Sequence, residues 1–386
     1  MKQLLWAGIL IFLLVSGALS QTSALVVIRS TPKQILIEKT KNGNELSFDF
    51  LLENKTGATL ELTRIRLMVF DAKGNLVVLK EAWGGLDAAL PSPFLIEAKK
   101  TKLLLNPFYS FNSAIDLNRL EYEIFFTEDK EENARSFTAK TVVSPIFYKP
   151  KTDLVLPVGG HVLVAEGHDY YAHHRRVDLT NPVVAQLGVT TNPTRYSYDF
   201  VLVDDRGESF RNNGKRNEDW LGFGTPILAP ASGIVKEIRN TVDDNILGQK
   251  MFDFRLVFED IKAFYGNYII IDHQNGEFSL LLHLKKGSVG VKAGDKVKQG
   301  QPIARMGISG DSDYVHLHYQ LQNAVEINNE SLPSYFSGFR WWRGKTFSLV
   351  KSGAMETGDI VESISARRPN KVRRQERRTK TTNQHE

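Results

Sequence analysis

Apolar residues that alternate with polar ones constrain this chain more than any other feature. Leu46, Phe48, Phe50 and Leu52 alternate, as do Ile65, Leu67 and Val69, and again Leu120, Tyr122, Ile124 and Phe126. A period of two puts such residues on one face of a strand and their neighbours on the other. Turn signals fall between the runs, at Asn42-Gly43 and at Lys73-Gly74-Asn75. Leu25 to about Val143 therefore reads as all-β, a sandwich of roughly immunoglobulin size with no evident chemistry. Ser144-Pro145 and Lys149-Pro150 bracket an expected linker. From about Lys151 to Gly344 no long segment of helical period intervenes, so this half reads as a mainly antiparallel β domain. The expected fold class is mainly β throughout.

Histidine marks the second half. Eight of the nine histidines lie between His161 and His318. His316 and His318 stand two apart among Val315, Leu317 and Tyr319, residues that favour extended backbone. Both imidazoles should then point into one groove. Neutral imidazole is the commonest protein metal ligand near neutral pH. One ring can hold a metal while its neighbour acts as acid, base or hydrogen-bond donor; two histidines on an exposed sheet face is the plainer reading. Cysteine is absent, which excludes disulfides and thiolate metal sites.

Charge and ends bound the partners. The formal net charge is +5, but Arg367 to Lys380 holds eight Lys or Arg against Glu376, a local +7 that leaves the remainder near −2. The basicity belongs to the tail and not to a folded nucleic-acid surface. Residues 351–386 are expected to be a basic, disordered tail, from about Ser363 onward most clearly, able to contact an anionic polymer or membrane. At the other end Leu4 to Val15 is apolar and Ala18-Leu19-Ser20 offers small residues. Residues 1–20 thus read as a secretory signal, with the mature protein secreted or periplasmic. The expected division is signal 1–20, immunoglobulin-like sandwich 21–148, a histidine-rich β domain 151–350 and tail 351–386.

The order A-P-x-x-G-x-V (from Ala229), Y-G-N-x-x-I-x-x-H (from Tyr265), L-x-H-L (from Leu281), G-D-x-V-x-x-G-Q (from Gly294), S-G-x-S (from Ser309) and H-L-H resembles the lysostaphin/LytM-type zinc metallopeptidases. The resemblance implies an antiparallel-β peptidase domain, zinc as cofactor, and hydrolysis of peptidoglycan peptides or another peptide by a zinc-held water. It implies that His318 and Asp199 are zinc ligands and that His283 and His316 are the catalytic pair. His273 is the family's strand-end histidine and reads as structural.

The chain departs from the family pattern at one position. Four residues before Asp199, where the family's H-x-x-x-D element has a histidine, stands Arg195, which cannot deprotonate to bind zinc. Three readings stand open. The site is dead, and the domain binds cell wall or activates another cell-wall hydrolase. Or an upstream histidine, His174 with His173 as runner-up, is the third ligand, with Arg195 turned away onto a carboxylate. Or His174 pairs with Asp178, which has the same spacing; Asp178 otherwise caps a turn. Arg206, Arg211, Lys215 and Arg216 are either a groove wall for an acidic substrate or a solvated loop.

Overall fold

The computed structural model describes residues 24–86, 90–249, 252–343 and 346–364. The signal read at residues 1–20 and the basic run from Arg367 lie outside the described residues. The chain is mainly β, an N-terminal sandwich followed by a curled antiparallel sheet.

The alternating runs form the strands that their pattern predicts. Leu60–Phe70 and Arg119–Glu128 pair antiparallel with Leu120 against Val69 and Ile124 against Ile65. Their inward residues, with Phe48, Phe50 and Leu52, form one buried cluster. Phe48, Phe50 and Tyr122 meet edge to face around it, the geometry ring quadrupoles favour. The strands make three sheets over this core, of three, five and four strands. The expected linker is itself structure: Ile146–Phe147 pairs in parallel with Leu36–Thr40. Two apolar residues there close a sheet edge that would otherwise expose unpaired backbone groups.

The second half is built on a twelve-stranded sheet. At its centre Tyr198–Val203, Leu317–Gln322, Phe278–Leu284 and Asn267–Asp272 lie side by side, each antiparallel to the next. One face packs the larger core around Tyr198, Phe200, Leu281, Leu317 and Tyr319. The other carries the groove and a smaller cluster that includes Tyr265, Ile270 and Leu282. Thr346–Gly353 and Ile360–Ser363 are strands of this same sheet, pairing with Phe336–Arg343. The tail therefore starts later than the expected residue 351. Val350 and Val361 are buried, so the apolar residues interspersed here are held by packing before the basic run begins. Among the described residues no helix is long and apolar enough to cross a membrane.

Candidate active site

Three neighbouring strands and one turn bring five side chains together. Register sets Asp199 opposite His318, and His318 opposite Leu282, the residue before His283. His316 precedes the strand Leu317–Gln322 by one residue and shares the groove with His318, as their spacing predicts. His283 sits where the pairing of Phe278–Leu284 with Asn267–Asp272 slips, with its backbone at φ 59°. A left-handed non-glycine residue at an irregularity re-aims its side chain, here toward His316 with ring centroids 4.9 Å apart. His174 comes from the short turn His173–Arg176 and meets the His318 ring edge to face, at 4.7 Å between centroids.

The ring hydrogen bonds define which nitrogens are free. A carbonyl oxygen can only accept, so His283 Nδ1–H donates to Ser309 O at 2.9 Å and His316 Nδ1–H to Tyr314 O at 2.9 Å. Each leaves an Nε2 lone pair available. His318 pairs through Nε2 with Gln320 Oε1 and through Nδ1 with Asp199 Oδ1, each at 2.9 Å. His174 Nε2 is 3.8 Å from Asp199 Oδ2, beyond hydrogen-bond range, and its buried Nδ1 has no partner. Ligating atoms of His174, Asp199 and His318 all lie within 4.8 Å of one another. Two imidazoles and a carboxylate, with His318 anchored through its far nitrogen, is a donor set suited to zinc.

Burial favours the neutral form of three of these rings. It pushes His174 down to about 3 against the opposing pull of Asp199. Burial, with the neighbouring rings, sets His283 well below the usual range, and burial lowers His316 also. For Asp199 burial acts upward, but the surrounding imidazoles favour its ionised form and hold the carboxyl well below its ordinary value.

The remaining candidates fall elsewhere. His173 pairs with Glu166 at 2.9 Å and is largely exposed. With His174 these two form a second group of potential ligands, and His283, His316 and His318 form a third. His168 is buried against Glu38. His273 Nδ1–H donates to Ser232 O and its Nε2 pairs with Ser279 Oγ, away from the groove. Asp178 accepts from Thr180 N and Oγ1, which makes it a turn cap and not a partner of His174. Arg195 turns from the groove and pairs with Asp49 at 2.9 Å. Arg206 and Arg216 lie exposed beside Asp204 and Glu218, and none of the four basic residues of that loop lines the cavity beside the histidines. The walls are apolar: a cavity of about 360 Å³ is flanked by Val183, Leu187 and Val189 on one side and Phe254, Ile261 and Phe264 on the other.

Three contributors were not singled out in the sequence. Tyr314 Oη–H donates to Asp199 Oδ2 at 3.1 Å, Gln320 anchors His318, and the Ser309 carbonyl holds His283. Each lies within four residues of the H-x-H or in the S-G-x-S run, a proximity that marks them only once the groove is known.

Residues 220–330 match the model of Peptidase family M23. The match includes His283, His316 and His318 and stops short of Asp199 and His174. Among curated proteins the chain is 33% identical over 115 residues to the peptidoglycan DD-endopeptidase ShyC of Vibrio cholerae, covering 29% of this chain and 21% of that one. It is 34% identical over 101 residues to the peptidoglycan DD-endopeptidase ShyA of the same organism, covering 26% and 18%. The match thus spans about a fifth of the length of these relatives. Among solved structures it is similar to the catalytic domain of lysostaphin from Staphylococcus simulans, with 23% identity, a TM-score of 0.22, and coverage of 35% of this chain and 74% of that one.

Proposed function

We propose that this protein is a zinc metallo-endopeptidase that hydrolyses peptide bonds of cell-wall peptidoglycan outside the cytoplasm. The observation that carries this reading is the placement of His174, Asp199 and His318 as one donor set, with the free Nε2 atoms of His283 and His316 beside it. Similarity to peptidoglycan endopeptidases supports the substrate. Arg195, the feature that favoured a dead site, is accounted for by Asp49, and His174 supplies a third donor in its stead.

His174, Asp199 and His318 would hold the ion, which when bound supplies a Lewis acid and an acidified water. Tyr314 orients the Asp199 carboxylate. His283 and His316, each with its proton fixed on Nδ1 by a backbone carbonyl, present Nε2 to the groove. One Nε2 takes the proton released as the nucleophile attacks the scissile carbonyl. The protonated ring then donates to the oxyanion or to the leaving amine. A positioned proton-transfer group contributes roughly 10²–10⁴-fold. The apolar walls exclude water from the peptide and strengthen these polar contacts.

Elemental analysis and peptidoglycan digestion test the reading together. The folded chain should bind about one zinc; His318→Ala or Asp199→Ala should remove it, and His174→Ala should lower its affinity by orders of magnitude. His283→Ala and His316→Ala should keep zinc and an unchanged circular dichroism spectrum, yet lose hydrolysis by about 10²-fold or more. Full zinc in the His318 or Asp199 variant would overturn the ligand assignment. A zinc-loaded chain that binds peptidoglycan without cutting it would establish the binding-module alternative.

A further inference from the structure

Two buried arginines flank the two upstream donors. Arg175 follows His174, and Arg195 precedes Asp199 by four residues; each side chain is no more than 2% exposed. Both guanidiniums converge on one carboxylate oxygen, with Arg175 Nη1 donating to Asp49 Oδ2 at 2.6 Å and Arg195 Nη1 at 2.9 Å. Arg175 Nη2 also donates to Phe48 O at 2.9 Å, and Arg195 Nη2 to Thr31 O at 3.3 Å. Every one of these acceptors belongs to the N-terminal sandwich. Together the two cations outweigh the effect of burial and hold the Asp49 carboxyl below its ordinary value.

The turn that carries His174 is also held at its start by Glu166, which accepts from His173 N at 2.8 Å and pairs with its ring at 2.9 Å. It is a single 3-10 turn of four residues without a side-chain cap. Asn192 Nδ2 donates to the carbonyls of His174 and Arg175 at 2.9 and 3.2 Å, and Thr194 Oγ1 to that of His174 at 3.2 Å. The imidazole itself has no hydrogen-bond partner to orient it. Its position is therefore set by its backbone, which Asn192 and Thr194 hold from one side and Asp49 holds from the other through Arg175. A buried ion pair is weak evidence of net stabilisation, since apolar packing would stabilise an interface equally well. Geometric specificity is the better account of two arginines aimed at one oxygen.

We propose that Asp49 is a positioning residue for the metal site: through Arg175 and Arg195 it places His174 against Asp199 and His318, so the N-terminal sandwich completes the site. The inference rests on the reading of His174 as a ligand. Outer partners of metal ligands typically account for about 10–100-fold in metal affinity, and this is the effect expected here.

The test uses the full folded chain with zinc, read by competition with a chelating dye, and with cobalt(II), read by its visible absorption. Asp49→Asn should weaken zinc binding by about 10–100-fold and alter the cobalt spectrum. In a His174→Ala background the same substitution should change neither further. Lys41→Ala, which breaks a different contact between the halves with Glu356 and Asp359, should leave affinity unchanged. If Asp49→Asn does not fold, the triple variant Asp49→Leu, Arg175→Met, Arg195→Met removes all three charges and is read the same way. The inference is overturned if the Asp49 variants bind zinc like the wild type while His174→Ala loses it. An equal loss in the His174→Ala background also overturns it, because Asp49 would then act on the fold at large. If His174→Ala binds zinc normally, His174 is no ligand and both readings fall.

Discussion

Gly266 gives the most demanding test of how the groove is built. Its backbone lies at φ 61°, ψ −129°, a region that residues with a Cβ adopt only under strain. A Cβ added there would meet the carbonyl carbon of Ser309 at 2.3 Å and its oxygen at 2.4 Å. That same oxygen accepts the Nδ1–H of His283 at 2.9 Å. Gly266→Ala therefore forces either an unfavourable dihedral pair or a shift of the carbonyl that fixes a catalytic ring. The dihedral contributes roughly 1–3 kcal/mol and overpacking against backbone roughly another 1–3 kcal/mol. The sum, about 2–6 kcal/mol, is a large share of an ordinary domain's stability. Urea unfolding of the metal-free chain measures it without a contribution from bound ion. Hydrolysis by the folded fraction should fall by about 10²-fold or more as His283 loses its tautomer-fixing acceptor. A loss of under about 1 kcal/mol with unchanged hydrolysis would refute the argument, because Ser309 would then have room to move without disturbing His283.

Two further outcomes follow from buried polar groups. Tyr314→Phe deletes the hydroxyl that donates to Asp199 Oδ2 and should weaken zinc binding about tenfold by chelator competition; an unchanged affinity would show that the carboxylate needs no such guide. Burial and the nearby Glu38 raise Glu45 to about 7, so the folded chain keeps that proton while the unfolded chain ionises near 4.5. Stability should then fall as pH rises from about 4.5 to 7, by up to about 3 kcal/mol. Glu45→Gln should flatten that part of the stability–pH curve, and an unaltered slope would place the dependence elsewhere.

How much was legible depended on the range of the signal. The period-two runs around Phe48 and Ile124 needed only local alternation, and their strands lie where the pattern puts them. The groove position of His316 and His318 followed from strand geometry in the same way. Arg195 could be seen to be unable to bind a metal from its chemistry alone. Its partner could not be seen, because Asp49 is 146 residues away and nothing in either neighbourhood names the other. Ile146–Phe147 looked like linker because two residues between prolines carry no periodicity, yet an open strand edge was enough to recruit them. Val361 was obscured by the basic run that follows, whose composition dominates any reading of the chain's end.

The division of the site between segments has a consequence for what substitutions do. His283, His316 and His318 lie within the family-matched residues 220–330, while His174 and Asp199 lie before them. On the proposed reading the downstream segment would supply one donor and both proton-transfer rings, and the upstream segment the two other donors. Metal retention and proton transfer should therefore fail separately. Upstream lesions, including any that loosen the hold of Asp49 on Arg175 and Arg195, act on metal affinity and leave the Nε2 atoms of His283 and His316 poised by Ser309 and Tyr314. Downstream lesions at those two rings leave the donor set intact. A chain that had become a mere binding module would have no physical reason to keep both segments so arranged. Loss of either would abolish catalysis alone. On the catalytic reading the buried convergence of two arginines on Asp49 serves to hold the His174 turn beside the other two donors.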